Sequence, residues 1–233
     1  MNKHPTGKKV WRITKRIFLW MFAAQFIYII LLRWIEPPVT VTQLVSLIRG
    51  HGLKRDYVSF HAMSREAKLA VMASEDQLFP DHDGFNIKAI KLAMKYNKKH
   101  PNKIRGASTI SQQVAKNVFL WQGGGYFRKG LEVYFTFMIE TFWSKERILE
   151  MYLNVSQMGD GIFGIQQAAV SYFNKDAGSL TRLEAAEIAA ALPNPVRYKV
   201  KPVSHYVASR AQAIIKQMGF LEPDPDIAAL IKN

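Results

Sequence analysis

Four short polar segments interrupt an otherwise apolar, helical pattern, and each holds side chains at spacings that suit chemistry. The first runs from Glu75 to Gly84, where a glutamate follows an alanine-rich helix and an acidic loop ends in glycine. A carboxylate placed there can be partly removed from water and aimed, as a general acid or a general base requires. Because an isolated glutamate at a helix end usually faces water, the other segments must decide the interpretation.

The second segment, residues 106–117, is rich in hydroxyl and amide groups and contains one lysine. On a helix, Gln112 and Lys116 share one face at i and i+4, as do Gln113 and Asn117. Amide donors and an ammonium group would then converge on a patch suited to a polyhydroxylated or phosphorylated ligand. Taken alone, the segment would more readily describe a capped surface helix.

The third and fourth segments lie on consecutive predicted helices. Arg128 and Glu132 stand one turn apart on a helix otherwise lined with aliphatic and aromatic residues. They are either a simple i,i+4 ion pair or a cation and a carboxylate presented to a substrate. The fourth segment, 145–154, reads mainly as packing support, with Glu150 and Asn154 expected to orient the site from behind.

The elements that must position these segments are predicted to be helices, with strand-like alternation almost absent. The predicted helices cover residues 64–73, 85–96, 109–117, 127–143, 145–154, 181–192 and 207–218. Thr109 and Thr181 each have the spacing of a capping box, with Gln112 and Glu184 three residues later. Residues 39–47 suit either a short strand or a helix.

The N-terminal region predicts a membrane anchor. Residues 17–35 contain Arg33 as their only charge, and a helix of this length just crosses a hydrocarbon layer of ~30 Å. Only basic charges precede this run, which predicts a cytoplasmic N-terminus. A cleaved signal peptide is the alternative, but the run is too long and lacks a small-x-small cleavage site. The expected organisation is a cytoplasmic basic tail 1–16, a transmembrane anchor 17–35, a linker or stem 36–60 and an exported domain 61–233.

The composition limits the partners. A net charge of +14 favours an anionic partner, and export of the basic domain disfavours nucleic acid. The absence of cysteine excludes disulfides, thiolate metal sites and a cysteine nucleophile. Residues 118–143 hold nine aromatics, which predict either a lobe dipping into the membrane or an aromatic core. The basic run 95–105 predicts a mobile loop over the site or a loop that touches anionic lipid.

Together, the four segments resemble the peptidoglycan glycosyltransferases, the family 51 transglycosylases that polymerise lipid II. The matching strings are Glu-Asp-x-x-Phe-x-x-His-x-Gly, Gly-x-Ser-Thr-Ile-x-Gln-Gln-x-x-Lys-Asn, Arg-Lys-x-x-Glu and Lys-x-x-Ile-Leu-Glu-x-Tyr-Leu-Asn, in this order. The resemblance spans about residues 64–198. It implies a mainly α, lysozyme-like domain with a membrane-associated lobe. No Ser-x-x-Lys or Lys-Thr-Gly string of a penicillin-binding domain occurs, so a monofunctional enzyme is expected.

The resemblance also implies roles for individual residues. Glu75 is the expected base for the attacking 4-hydroxyl, in a single inverting displacement, and nearby cations are expected to depress its pKa. Glu132 is the second functional carboxylate, either orienting the diphosphate with a divalent cation (Mg²⁺ or Mn²⁺) or steadying the oxocarbenium-like centre. No protein-held metal site and no organic cofactor are expected. The residues expected to bind substrate are Ser108, Thr109, Gln112, Gln113, Lys116, Asn117, Arg128 and Lys129.

One departure from the family pattern concerns the loop before Arg128. Many relatives carry an arginine there, whereas this chain has three consecutive glycines, 123–125. The phosphate contacts are therefore expected to fall to Lys116, Arg128 and Lys129, with backbone amides of the glycines as a partial substitute.

The expected function is polymerisation of lipid II into β-1,4-linked glycan with release of polyprenyl diphosphate, by a periplasmic domain anchored in the bacterial inner membrane. The expected partners are lipid II, the growing glycan strand, membrane lipid and other cell-wall synthesis proteins. A lysozyme-like muramidase or lytic transglycosylase is the alternative enzyme, because it would share the fold and use one glutamate as an acid. A basic, membrane-anchored binding protein would explain the charge but not the spacing of Glu75, Gln112, Lys116 and Glu132.

Overall fold

The protein is described by a computed structural model covering residues 7–102 and 105–232, which separates into two compact units, Met1–Glu36 and Pro37–Asn233. Helix α1 (Gly7–Leu31) forms the first unit, and its stretch Lys9–Leu31, with mean hydropathy 1.4, is long and apolar enough to cross a membrane. The helix includes much of the predicted basic tail and ends four residues before the predicted limit. The chain turns at residues 32–35, ahead of two prolines that disfavour helix.

The second unit is built from ten α-helices among the described residues. They are α2 (Val41–Ile48), α3 (Arg65–Glu75), α4 (Ile87–Lys99), α5 (Ile110–Phe119), α6 (Tyr126–Phe142), α7 (Lys145–Val155), α8 (Ile165–Phe173), α9 (Arg182–Ala191), α10 (His205–Leu221) and α11 (Pro225–Ile231). Three short strands, β1 (Lys54–Arg55), β2 (Gln157–Gly159) and β3 (Ile162–Phe163), form one sheet in the order β1-β3-β2. The first pair is parallel and the second antiparallel. The predicted mainly α fold is confirmed.

Side-chain caps begin the helices that carry the site. Ser64 accepts from the backbone of Ala67 at the start of α3, and both predicted capping boxes are present, at Thr109 and Thr181. A third capping box at Thr40 makes residues 41–48 a helix rather than a strand. The sequence analysis missed α8, α11 and the strands, because these elements are short.

Residues 37–60, assigned from the sequence to a linker or stem, contribute structure to the second unit. Helix α2 packs against α5, and β1 pairs with β3. The side chain of Asn154 accepts from the backbone N–H of Val58 and donates to its carbonyl, at 3.2 and 2.9 Å. These contacts join the segment to α7, far away in the sequence.

Two groups of helices position the site. Helices α3, α9 and α10 pack on one another, and α5 packs on both α6 and α7. Buried alanines on α3 and α9, such as Ala70 and Ala189, allow these helices to approach closely. The end of α3 and the start of α5 therefore meet where the two groups join.

The basic run 95–105 is only partly a loop. Residues up to Lys99 belong to α4, the His100 ring stacks on Tyr96 at 4.2 Å, and the Arg105 guanidinium lies 3.9 Å from the same ring. Residues 103 and 104 lie outside the described residues. Residues 95–99 of the predicted loop are therefore the last residues of helix α4.

Candidate active site

Glu75 is the last residue of α3 and faces a cavity of about 560 Å³, called here the Glu75 cavity. Its Oε2 accepts a hydrogen bond of 2.7 Å from Gln113 Nε2. Burial raises the pKa of the Glu75 carboxyl, although the bond from Gln113 and the charges of Arg210 and Lys116 act in the opposite direction.

The direction of this pKa shift corrects the expectation from the sequence. The cations were expected to depress the pKa of Glu75, whereas desolvation outweighs them. A carboxylate with a raised pKa is a stronger base once ionised, so the raised pKa of Glu75 suits proton abstraction. It also means that the charge environment alone does not separate a base from a general acid.

The Gln113 amide is fixed between Glu75 and Tyr152. The Tyr152 hydroxyl lies 3.4 Å from Gln113 Oε1, and burial and the nearby Glu75 raise the pKa of the phenol, which therefore remains a donor. With its oxygen facing Tyr152, Gln113 presents its NH₂ group to Glu75. Gln113 therefore orients the carboxylate, and its expected contact with substrate oxygens stays a prediction.

The acidic loop after Glu75 joins α3 to the start of α5. The carboxylate of Asp76 accepts from His82 Nε2 at 3.0 Å and from the backbone N–H of Ile110 at 3.1 Å. Gly84 has a φ of +82°, and its carbonyl accepts from Thr109 Oγ1 at 2.7 Å. A Cβ at this glycine would lie 2.6 Å from the Thr136 methyl carbon, so the close approach of the loop to α6 requires glycine.

Glu132 is the centre of a second charged group. It is 3% exposed, and its carboxylate bonds Arg128 Nη1 at 2.7 Å and the Lys129 ammonium on the other oxygen. Lys116, Arg128 and Lys129, called here the cation cluster, therefore carry three positive charges around one carboxylate. Burial lowers the pKa of Lys116, the charges of Arg128 and Lys129 lower it further, and those of Glu132 and Glu75 oppose this effect. Lys116 thus lies within electrostatic reach of both carboxylates.

The glycine loop packs against the cation cluster. Gly124 has a φ of +98°, and a Cβ there would lie 3.1 Å from Arg128 Cδ and 3.2 Å from Trp121 Nε1. A residue with a side chain at this position would be strained or would need another backbone conformation. The glycine instead leaves room for the Arg128 stem to lie against the loop.

The remaining predicted binding residues form two groups: Thr109 and Gln112 belong to a capping box, whereas Asn117 and Ser108 line hollows. Thr109 and Gln112 use their side-chain oxygens within the capping box, so these oxygens are engaged by the protein. Asn117 accepts from Gln122 at 3.2 Å and lines, with Lys116, a hollow of about 200 Å³. Ser108 lines both the Glu75 cavity and a hollow of about 220 Å³ that also includes Gln112 and Lys129.

Two predicted orienting residues act elsewhere. Glu150 accepts from the backbone N–H of Phe60 at 2.7 Å and from Arg147 at 2.6 Å. Asn154 bonds the backbone of Val58, as described above. Both side chains therefore fix the segment before α3 and do not reach the site.

Sequence reasoning missed Arg210 and the polar role of Tyr152. Arg210 lines the Glu75 cavity from α10. It lies on the same helical face as the buried Val207, Ala211 and Ile214, and a charge on an apolar face is the signal that could have identified it. Tyr152 offered no such signal, because a tyrosine among buried residues is ordinary packing.

Comparison with known proteins agrees with this geometry. A protein-family model described as Transglycosylase matches residues 41–219. The biosynthetic peptidoglycan transglycosylase of Pseudomonas putida (strain GB-1) is 47% identical over 216 residues, covering 90% of this chain and 91% of its own. The protein of that name from Aeromonas hydrophila is 46% identical over 210 residues, covering 88% of this chain and 89% of its own. The one from Shigella boydii is 54% identical over 170 residues, covering 73% of this chain and 70% of its own.

The fold and the site therefore define a glycosyltransferase with a lysozyme-like α domain. The chain belongs to the transglycosylase family, as its four polar segments predicted.

Proposed function

We propose that this enzyme polymerises lipid II into β-1,4-linked peptidoglycan strands and releases polyprenyl diphosphate. The relatives that match most of the chain carry the name biosynthetic peptidoglycan transglycosylase, which supports the substrate class. The observation that carries the proposal is the cation cluster, whose Lys116 lies within electrostatic reach of the half-buried Glu75. A site with excess positive charge next to a carboxylate suits a substrate that leaves as a diphosphate.

The proposed step is a single inverting displacement. Glu75 accepts the proton of the acceptor 4-hydroxyl while that oxygen forms a bond to C1 of the donor sugar. The bond from C1 to the diphosphate oxygen breaks, and its electron pair leaves with the diphosphate. Lys116, Arg128 and Lys129 stabilise the departing charge, the arginine as a fork and the lysines as point charges.

A protein-held divalent cation does not fit the residues at the site. Arg128 and Lys129 occupy both oxygens of Glu132. Within residues 7–102 and 105–232, no three His, Asp or Glu side chains are grouped so that they could hold a metal ion. We therefore assign neutralisation of the diphosphate to the cation cluster.

Membrane association of the catalytic unit is part of the proposal. The aromatic segment 118–143, predicted to form either a lobe dipping into the membrane or an aromatic core, holds both packed and exposed rings. Phe119 and Phe135 are half-buried and stack on each other at 4.7 Å, whereas Tyr126 and Phe127, at the start of α6, are 98% and 76% exposed. Exposed aromatics beside a cationic site suit the headgroup region of a bilayer, where a polyprenyl substrate presents its diphosphate.

The apolar helix α1 supports a single-pass anchor in the inner membrane. The basic residues at its start favour a cytoplasmic N-terminus, which would leave the catalytic unit in the periplasm. The proposed partners are lipid II, the growing glycan strand, membrane lipid and other cell-wall synthesis proteins. We propose no role with nucleic acid.

Labelled lipid II tests the function directly. The detergent-solubilised protein is expected to form polymer and release polyprenyl diphosphate, and to release no muropeptides from purified sacculi. Muropeptide release that depends on Glu75 would contradict the proposal and favour the muramidase alternative. Neither activity in a folded protein would leave only the binding-protein interpretation.

Removing one charge from the cation cluster should weaken the use of lipid II. Lys116→Ala and Arg128→Ala each delete a charge-assisted contact of roughly 1.5 to 3 kcal/mol, so kcat/KM should fall about tenfold or more. Membrane association should not change, as flotation with vesicles would measure. The exposed Lys91→Ala on α4 is a control for loss of one positive charge. Normal polymerisation by both variants would show that the diphosphate binds elsewhere.

A further inference from the structure

A fourth cation lies near Glu75, apart from the cation cluster. Arg210 lines the Glu75 cavity from α10, whereas Lys116, Arg128 and Lys129 do not line it. Lys116 borders a separate hollow next to the Glu75 cavity. Gln113 and Pro193 line both spaces. The carboxylate of Glu75 is therefore flanked by positive charge from two different groups of helices.

Arg210 has no carboxylate partner among the described residues. Among the described residues, no carboxylate oxygen lies within 4 Å of its guanidinium, unlike those of Arg65, Arg128, Arg147 and Arg182. Its Nε is buried and makes no hydrogen bond. The side chain is half-buried beside the Glu75 cavity, and a guanidinium there without a carboxylate partner suits an anionic ligand that supplies one.

The position of Arg210 indicates that this anionic ligand belongs to the acceptor substrate. Arg210 also borders a surface hollow of about 370 Å³ along α10, which includes His205 and Tyr206. A molecule with its terminal sugar at Glu75 would pass Arg210 as it leaves the cavity. The donor diphosphate, in contrast, is assigned to the cation cluster.

We infer that Arg210 binds an anionic group of the acceptor substrate and so determines acceptor affinity separately from donor affinity. The inference rests on the proposed function, in which Glu75 activates the acceptor hydroxyl. The acceptor carries such oxygens on its own diphosphate and on the carboxylates of its stem peptide. Both would pair with a planar guanidinium.

A single coupling reaction with two different substrates separates the sites. The donor is lipid II with an inverted 4-hydroxyl, which cannot accept, and the acceptor is lipid II with carbon in place of the glycosidic oxygen, which cannot leave. Arg210→Gln is expected to raise KM for the acceptor about tenfold or more, while KM for the donor changes less than twofold. Arg210→Lys should give an intermediate value, and Lys216→Gln, an exposed residue on the same helix, should change neither constant.

The outcomes separate the inference from the function. No tetrasaccharide from wild-type protein would overturn the proposed function, and the inference with it. Normal coupling, with an acceptor KM that Arg210→Gln leaves unchanged, would overturn only the inference. A change confined to the pH profile of kcat would do the same, because it would mean that Arg210 acts only through Glu75.

An acceptor without the stem peptide identifies the anion: a persisting effect indicates the diphosphate, and a lost effect indicates a peptide carboxylate. If Arg210→Gln fails to fold, the lysine variant decides by the same two KM values.

Discussion

Replacing Glu75 with glutamine is expected to lower the turnover of lipid II by about 10² or more while the protein remains folded. Glutamine keeps the size of the side chain and a hydrogen bond to Gln113, but it cannot accept the proton of the attacking hydroxyl. Initial rates of polymer formation from labelled lipid II would measure the loss. Near-normal polymerisation would remove Glu75 from its role as base.

The same substitution should stabilise the fold at neutral pH. Because burial raises the folded-state pKa of Glu75, the folded protein binds more protons than the unfolded chain between the unfolded and folded pKa values. Stability therefore falls as the pH rises through that window and stays lower above it, a loss that the neutral glutamine avoids. Thermal melting at pH 7 should show a higher midpoint for Glu75→Gln. Glu66→Gln, on the same helix but paired with arginines at the surface, is the matched control and should retain activity.

The pH dependence of the wild-type enzyme follows from the same shift. An ionised base gives full activity above its pKa, and activity falls as the pH is lowered through it. Since the pKa of Glu75 is raised, this fall should occur at a higher pH than for an exposed glutamate. The charges of Arg210 and Lys116 oppose the shift, so Lys116→Ala should move the acid limb of kcat to still higher pH. Activity that instead declines towards high pH over this range would indicate a general acid.

Replacing Glu132 with glutamine should give the second large effect. The carboxylate is the only one paired within 4 Å with Arg128 and Lys129 among the described residues, and it is almost fully buried. Its loss would leave a buried arginine without a counter-ion, a change that costs about 3 kcal/mol in such pairs. Lys129 is 45% exposed at its side chain and contributes less. We expect a lower unfolding free energy, and a fall in kcat/KM of about tenfold or more because Arg128 is no longer held towards the site.

Inorganic pyrophosphate would distinguish a functional cluster from a structural one. If the cation cluster binds diphosphate, pyrophosphate should raise the melting temperature of Glu132→Gln more than that of the wild type, since the anion replaces the lost negative charge. Glu184→Gln removes a carboxylate from the surface ion pair with Lys175 and is the control. An equal shift in all three proteins would contradict diphosphate binding at the cluster.

Most of the helical framework could be predicted from the sequence, because the signals that determine it are local. A threonine followed three residues later by glutamine or glutamate begins a helix wherever it lies, as at Thr109 and Thr181. Other elements were missed or left ambiguous. Residues 41–48 carried the same signal, Thr40 followed by Gln43, but the sequence analysis did not use it. Helix α8 begins after Gly164, which has a positive φ and lies close to the backbone of Asn154, a contact that the local sequence does not reveal.

For the site, the sequence determined the chemistry and the tertiary structure decided the arrangement. Residue type and helical spacing drew attention to Glu75, Lys116, Arg128 and Glu132, and the resemblance to the family supplied the roles proposed for them. The direction of the Glu75 pKa shift was beyond the sequence, since desolvation depends on every element packed around the carboxyl. The fixed amide of Gln113 likewise requires Tyr152, which comes from another helix. Local interactions are encoded at short range, whereas burial and contacts between distant helices exist only once the chain has folded.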